Sequence, residues 1–153
     1  VAGSKKAIQS IRASIGDVSR SDPDTIPPVN EFLVLDADPS QNYAINAVLA
    51  GRNVIIQGPP GTGKSQTISN LIAASIAKQK TVLFVAEKRA AIEAVTSRLH
   101  NVGLGSQILD LHDGAKNKAK VTSSIKEAID QAGQIPPADV EALNAKLVKA
   151  RSA

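Results

Sequence analysis

Residues 58–65 read Gly-Pro-Pro-Gly-Thr-Gly-Lys-Ser and match the pattern G-x-x-x-x-G-K-[ST] at every specified position. Three glycines allow the backbone to curl so that successive N–H groups point into one concavity. The lysine brings a positive charge to phosphate oxygens, and the hydroxyl after it is able to ligate Mg²⁺. The pattern therefore predicts a loop that binds the phosphates of a nucleotide.

The segments around this loop alternate between apolar runs and helical patterns. A β-branched run at 54–56 leads into the loop, and residues 64–78 follow it with apolar side chains on one side of a helix. A second apolar run at 82–85 precedes another helical pattern, and a weaker run lies at 108–111. Strands that are apolar throughout and alternate with helices are typical of a parallel sheet covered on both faces. The predicted fold class is therefore α/β.

A helix is also predicted before the loop, because residues 38–41 read Asp-Pro-Ser-Gln. Asp38 is suited to the N-cap, Pro39 to the first helical position, and Gln41 to the third, where its side chain completes a capping box. Gly51 is predicted to end this helix. Further helices are predicted near the N-terminus, around residues 121–129, and from Val140 onward.

Composition excludes several classes of protein. The chain has 153 residues, with 18 Lys+Arg, 14 Asp+Glu and 42% hydrophobic residues, which is typical of a single globular domain. It has no cysteine, so disulfide scaffolds and cysteine-ligated metal sites are excluded. The net charge of +4 is too mild to indicate a polyanionic partner by itself. Because the chain begins with Val1, we expect it to be part of a longer protein.

Three further stretches carry a resemblance to a known family. Residues 35–45 resemble the adenine-reading Q motif of superfamily 1 DNA/RNA helicases, and residues 82–95 resemble motif Ia of that family. Residues 108–118 are similar to a bacterial branch of large helicase-like proteins within it. The resemblance implies the front part of a RecA-like P-loop NTPase domain that binds ATP and Mg²⁺, and single-stranded DNA or RNA as a partner of the full-length parent.

The resemblance assigns roles to individual residues. Gln41 would contact the adenine edge, although it could instead only close the capping box. Lys64 would be catalytic and Ser65 would hold Mg²⁺. Lys88 and Arg89 would contact nucleic acid, yet they depart from the family pattern, and a solvated helix start is the alternative. The predicted nucleotide-binding residues are Gln41, Gly58, Pro59, Pro60, Gly61, Thr62, Gly63, Lys64, Ser65 and Gln66.

The acidic strand end that hydrolysis requires is not recognisable in this sequence. The nearest candidate, at 108–113, has its first acid inside the apolar run. We therefore predict truncation before the Walker B strand, and no turnover by this segment alone. The predicted organisation is an N-terminal helix and linker at 1–30, a partial RecA-like ATP-binding domain at 31–135, and the start of a helical insertion at 136–153.

Three functions remain open at this point. The first is an ATP-binding segment of a superfamily 1 helicase or translocase, which couples ATP hydrolysis to nucleic-acid unwinding. The second is an ATPase of the AAA+ type, and the third is a nucleotide-binding interaction module without turnover. A cytoplasmic location without a membrane partner is expected, and the oligomeric state is open.

Overall fold

The computed structural model describes residues 9, 26–111, 118–133 and 138–151. The predicted N-terminal helix falls almost wholly outside these residues, as does Pro136-Pro137. The described residues belong to two compact units, one that ends at Val82 and one that begins at Leu83, and each is described by itself.

The helices lie close to their predicted positions, and the predictions for them are confirmed. The first unit holds α1 and α2, and the second holds α3, α4 and α5. Their bounds are Pro39–Leu49 for α1, Lys64–Ala77 for α2, Arg89–Asn101 for α3, Lys118–Ala132 for α4 and Val140–Arg151 for α5. Short 3₁₀ turns occupy Pro28–Asn30 and Gly105–Gln107.

The predicted sheet is not formed by the residues that the structure describes. Within those ranges no segment pairs with another as a β-strand. The two strongest apolar runs leave large side chains exposed, with Ile55 at 96%, Leu83 at 81% and Val85 at 77%. A parallel sheet needs strand neighbours on both sides to satisfy its backbone groups. The sheet therefore stays a prediction.

In the first unit, α1 packs against α2. Its apolar core is made of small and β-branched side chains: Ile45, Ala47, Ala73 and Ala74. The residues of α2 that are predicted as its apolar side are only half-buried: Ile68, Leu71, Ile72 and Ile76. The most deeply buried face of α2 instead carries Thr67, Ser69 and Asn70. Polar groups in this position must find hydrogen-bond partners inside the protein.

In the second unit, Val95 and Leu99 of α3 are fully buried. The 3₁₀ turn at Gly105–Gln107 packs against both α3 and α4. Apolar side chains on α4 and α5 remain partly exposed, among them Ile129 and Val140. None of the helices in the described ranges combines the length and the hydropathy needed to cross a membrane.

The first three helices end in the same way. In each, the residue after the C-cap has a positive φ, and the next residue donates its N–H to a carbonyl five residues earlier, which is the Schellman arrangement. The residues with positive φ are Gly51 (89°), Gln79 (55°) and Gly103 (80°). The bonds that close the three turns are Arg52 N to Ala47 O at 3.0 Å, Lys80 N to Ser75 O at 2.9 Å, and Leu104 N to Leu99 O at 2.9 Å.

We expect Gln79→Gly to stabilise the protein, because Gln79 carries a side chain and the other two residues at these positions are glycines. The left-handed conformation costs a residue with a Cβ about 1–2 kcal/mol, and the greater unfolded freedom of glycine offsets about half of that. The expected gain in the free energy of unfolding is about 0.5–1 kcal/mol. Urea denaturation measures it. Lys78→Gly is the matched control, since Lys78 has an ordinary φ of −89° and its replacement should destabilise. A loss of stability in Gln79→Gly would contradict the prediction.

Candidate nucleotide site

The glycine-rich loop has the backbone conformation that its sequence predicts. Gly61 and Gly63 have φ values of 88° and 73°, which residues with a Cβ adopt only with strain. Gly58 has no room for a side chain, because an added Cβ would lie 2.6 Å from the hydroxyl of Thr62. That hydroxyl donates a hydrogen bond to Pro59 O at 2.9 Å. The Thr62 side chain, near the end of the loop, is therefore held against the beginning of the loop.

The loop delivers the chain directly to the start of α2. Gly63 is the N-cap, and in the described part of the chain no side chain caps this helix. The first N–H groups of a helix have no partner within it, and together with the helix dipole they favour an anion. Ser65, in this first turn, is half-buried. The helix start thus offers backbone donors and a hydroxyl on the side where the loop ends.

Lys64 folds back over the loop. Its ammonium group donates to Gly58 O at 2.7 Å and to Pro59 O at 2.6 Å. An ammonium group has three donors, so one N–H remains for a further acceptor. The positive charge is therefore held against the loop itself, where a phosphate would approach.

Gln41 connects the start of α1 to the loop. Asp38 and Gln41 form the predicted capping box: Gln41 N donates to Asp38 Oδ1 at 2.9 Å, and Asp38 N donates to Gln41 Oε1 at 3.2 Å. In addition, Gln41 Nε2 donates to Thr62 O at 3.1 Å. The capping box is confirmed, and the same side chain lies beside the phosphate-binding loop.

Gln66 makes a contact that the sequence prediction does not include. Its Nε2 donates to Asp36 O, in the segment that leads to α1. The structure therefore gives this side chain a link to residue 36, and its predicted contact with a nucleotide stays a prediction.

Asn70 is a residue of this region that the sequence prediction missed. It is fully buried on α2, and its amide makes three hydrogen bonds to the backbone of Val34 and Leu35. The available signal was an asparagine directly before the apolar residues Leu71 and Ile72 of a predicted helix. An asparagine there is unfavourable unless its side chain has a specific partner.

The two residues predicted to contact nucleic acid lie in the second unit. Lys88 is the exposed N-cap residue of α3. Arg89 forms ion pairs with Glu93 at 3.1 Å and with Asp110 at 2.8 Å. The hydrogen bonds to Glu93 and then to Asp110 raise the pKa of Arg89. Its Nη1 is buried and, among the described residues, without a hydrogen-bond partner. Nucleic-acid contact by these residues stays a prediction.

Acidic metal ligands are not gathered anywhere in the described part of the chain. Mg²⁺ bound with a nucleotide commonly uses few protein ligands together with phosphate oxygens and water. The hydroxyl of Ser65 fits that role as one ligand. Asp110, which lies in the nearest candidate for an acidic motif, forms an ion pair with Arg89.

Comparison with known proteins agrees with this geometry. A family model described as "AAA domain" matches residues 36–137, which include the capping box, the loop and α2. The chain belongs to this AAA domain family. The match confirms the P-loop NTPase fold that the resemblance implies.

Relatives of this AAA domain are large proteins whose names support the resemblance stated above. An uncharacterized ATP-dependent helicase, MG140 of Mycoplasma genitalium, is 46% identical over 68 residues, which cover 44% of this chain and 6% of that protein. The DNA-binding protein SMUBP-2 of Rattus norvegicus is 36% identical over 86 residues, 56% of this chain and 9% of that protein. Regulator of nonsense transcripts 1 of Dictyostelium discoideum is 41% identical over 69 residues, 42% of this chain and 5% of that protein. The chain thus spans only a small part of these relatives. No solved structure matches it.

Proposed function

We propose that this segment binds the triphosphate of ATP with Mg²⁺ and supplies the nucleotide site of a superfamily 1 DNA/RNA helicase. The observation that carries the proposal is the meeting of three features at one place. The loop ends in the uncapped start of α2, Lys64 lies across the loop, and Gln41 is hydrogen-bonded to it. Few ligands other than a nucleotide would use all three.

The phosphates are bound by the loop and the helix start. Backbone N–H groups there would surround the β-phosphate, and the remaining donor of Lys64 would reach a phosphate oxygen. Ser65 would hold Mg²⁺, which when bound neutralises charge on the phosphates. The catalytic contribution of Lys64 is then to stabilise the charge that develops on the transferred phosphoryl group.

Adenine recognition by Gln41 is compatible with the hydrogen bonds that this side chain already makes. A primary amide has two donor hydrogens and two acceptor lone pairs. The capping box uses one lone pair, and Thr62 O uses one hydrogen. One donor and one acceptor therefore remain on the same amide plane, which is the pattern that the adenine edge requires.

The helicase assignment is supported by the relatives, several of which are named as helicases. These names favour a helicase over the AAA+ and non-hydrolysing alternatives. The acidic residues for hydrolysis and the nucleic-acid partner, single-stranded DNA or RNA, are assigned to the whole protein. The parallel sheet and the cytoplasmic location belong to the same proposal.

The test is the ATPase activity of the full-length protein with and without nucleic acid. We expect single-stranded DNA or RNA to raise the rate of ATP hydrolysis by about tenfold or more, because a translocase couples ATP hydrolysis to movement along a nucleic-acid strand. A coupled-enzyme phosphate-release assay measures this, and heparin serves as a polyanion control. A rate unaffected by any single strand, with no strand separation in a fluorescent duplex assay, would contradict the helicase assignment.

A further inference from the structure

Asn70 holds the segment that precedes α1 in a fixed position. Its Oδ1 accepts hydrogen bonds from Val34 N at 3.0 Å and Leu35 N at 2.9 Å, and its Nδ2 donates to Leu35 O at 2.9 Å. The side chain is completely shielded from solvent. Leu35 therefore has both its backbone N–H and its C=O paired with one amide, as it would with a neighbouring strand.

This contact is one part of a closed series of hydrogen bonds within the first unit. Gln66 lies one turn before Asn70 on α2, and its Nε2 donates a hydrogen bond to the backbone oxygen of Asp36. Two residues later in the chain, Asp38 is the N-cap residue of α1 and forms the capping box with Gln41. Gln41 in turn binds Thr62 O in the loop that precedes α2. The series thus starts on α2, passes through residues 34–41 and returns to the loop.

We propose that Asn70 is a positioning residue for base recognition, which sets where Gln41 lies relative to the phosphate-binding loop. This inference rests on the proposed adenine contact of Gln41. The chain between Leu35 and Asp38 is too short to absorb much displacement, so a shift at Leu35 moves the start of α1. Without the Asn70 amide, three partly buried backbone groups lose their partner, and the segment must rearrange to satisfy them.

The positioning role differs in its consequences from simple stabilisation of the fold. The phosphate-binding groups lie on the loop and at the start of α2, and Asn70 bonds to none of them. A displaced Gln41 should therefore weaken recognition of the base and leave recognition of the phosphates unchanged. A general loss of structure would instead weaken both together.

The experiment compares three probes in the full-length protein: ATP, UTP and inorganic tripolyphosphate. Each displaces a fluorescent ATP analogue, and the Kd values give a ratio for base preference. In the unmodified protein ATP should bind more tightly than UTP. In Asn70→Ala we expect ATP affinity to fall about tenfold, tripolyphosphate affinity to stay within about twofold, and the preference for ATP over UTP to disappear.

Two further variants test whether the effect comes from the hydrogen bonds of Asn70 or from any change at a buried polar residue of α2. Asn70→Asp keeps the size and both acceptor contacts but sets a carboxylate oxygen against Leu35 O in a fully buried site, so the base preference should be lost as in Asn70→Ala. Ser69→Ala is the matched control, because Ser69 is equally buried on α2 and its hydroxyl donates within that helix, to Ser65 O at 2.8 Å. It should leave the ratio of ATP to UTP affinity unchanged.

The outcomes separate this inference from the function on which it rests. If the unmodified protein prefers ATP and both Asn70 variants keep that preference, the positioning role is wrong and the adenine contact stands. A parallel fall in ATP and tripolyphosphate affinity also overturns the positioning role. If the unmodified protein shows no preference for ATP over UTP, the adenine contact of Gln41 fails and the inference fails with it.

Discussion

Lys64→Ala should reduce ATP turnover by the full-length protein about 100-fold or more, since removal of one preorganised charge at a phosphoryl-transfer site has effects of this size. The ammonium group of Lys64 lies against the loop carbonyls of Gly58 and Pro59, where the phosphates are proposed to bind. An alanine there removes the charge and leaves two carbonyl oxygens facing the phosphates, which increases repulsion. Steady-state ATPase rates at saturating ATP measure the effect on kcat.

Lys78→Ala is the matched control for this prediction. Lys78 is the exposed C-cap residue of α2, so the two lysines lie at opposite ends of one helix. Its replacement removes the same charge from the same helix without touching the loop, and the rate should stay within about twofold. Turnover that survives Lys64→Ala would show that the loop is not the catalytic phosphate site.

Gly63→Ala is expected to have the second-largest effect, on nucleotide affinity and on stability together. Gly63 has a φ of 73°, and an added Cβ would lie 2.5 Å from Gln41 Nε2. The backbone strain costs about 1–2 kcal/mol, and the overlap forces Gln41 away from Thr62. ATP affinity should fall about tenfold or more as the N-terminal turn of α2 and the amide of Gln41 are displaced. Calorimetric titration and urea denaturation measure the two effects.

Gly51→Ala separates strain from overlap. Gly51 has a similar φ of 89°, but nothing lies within 4 Å of an added Cβ. This variant should lose about 0.5–1 kcal/mol of stability, the strain less the entropy that the alanine removes from the unfolded chain, and bind ATP as the unmodified protein does. Equal ATP affinities in Gly63→Ala and Gly51→Ala would mean that the contact between Gly63 and Gln41 has no part in binding.

The sequence predicted those features whose physical cause lies within a few neighbouring residues. The capping box of Asp38 and Gln41 depends on residues three apart, and Gly51 ends α1 because glycine accepts a positive φ. The loop and the start of α2 at Lys64 follow from one contiguous pattern.

Such local rules do not predict contacts between residues that are far apart in the sequence. Asn70 is buried because Leu35, 35 residues earlier, supplies its partners, and helical periodicity carries no information about that segment. The same holds for the ion pair of Arg89 with Asp110, which engages a residue predicted to contact nucleic acid. The parallel sheet needs partner strands, so the apolar runs alone could predict strands but not their pairing.

The two hydrogen bonds of Lys64 to the loop have a consequence for the energetics of ligand capture. A free lysine side chain has many rotamers, and restricting them on binding costs up to about 2 kcal/mol. In this protein that restriction is already imposed by Gly58 and Pro59 when the chain folds. A polyphosphate bound there, as proposed, would meet a preorganised cation, and more of its interaction energy would be retained as affinity.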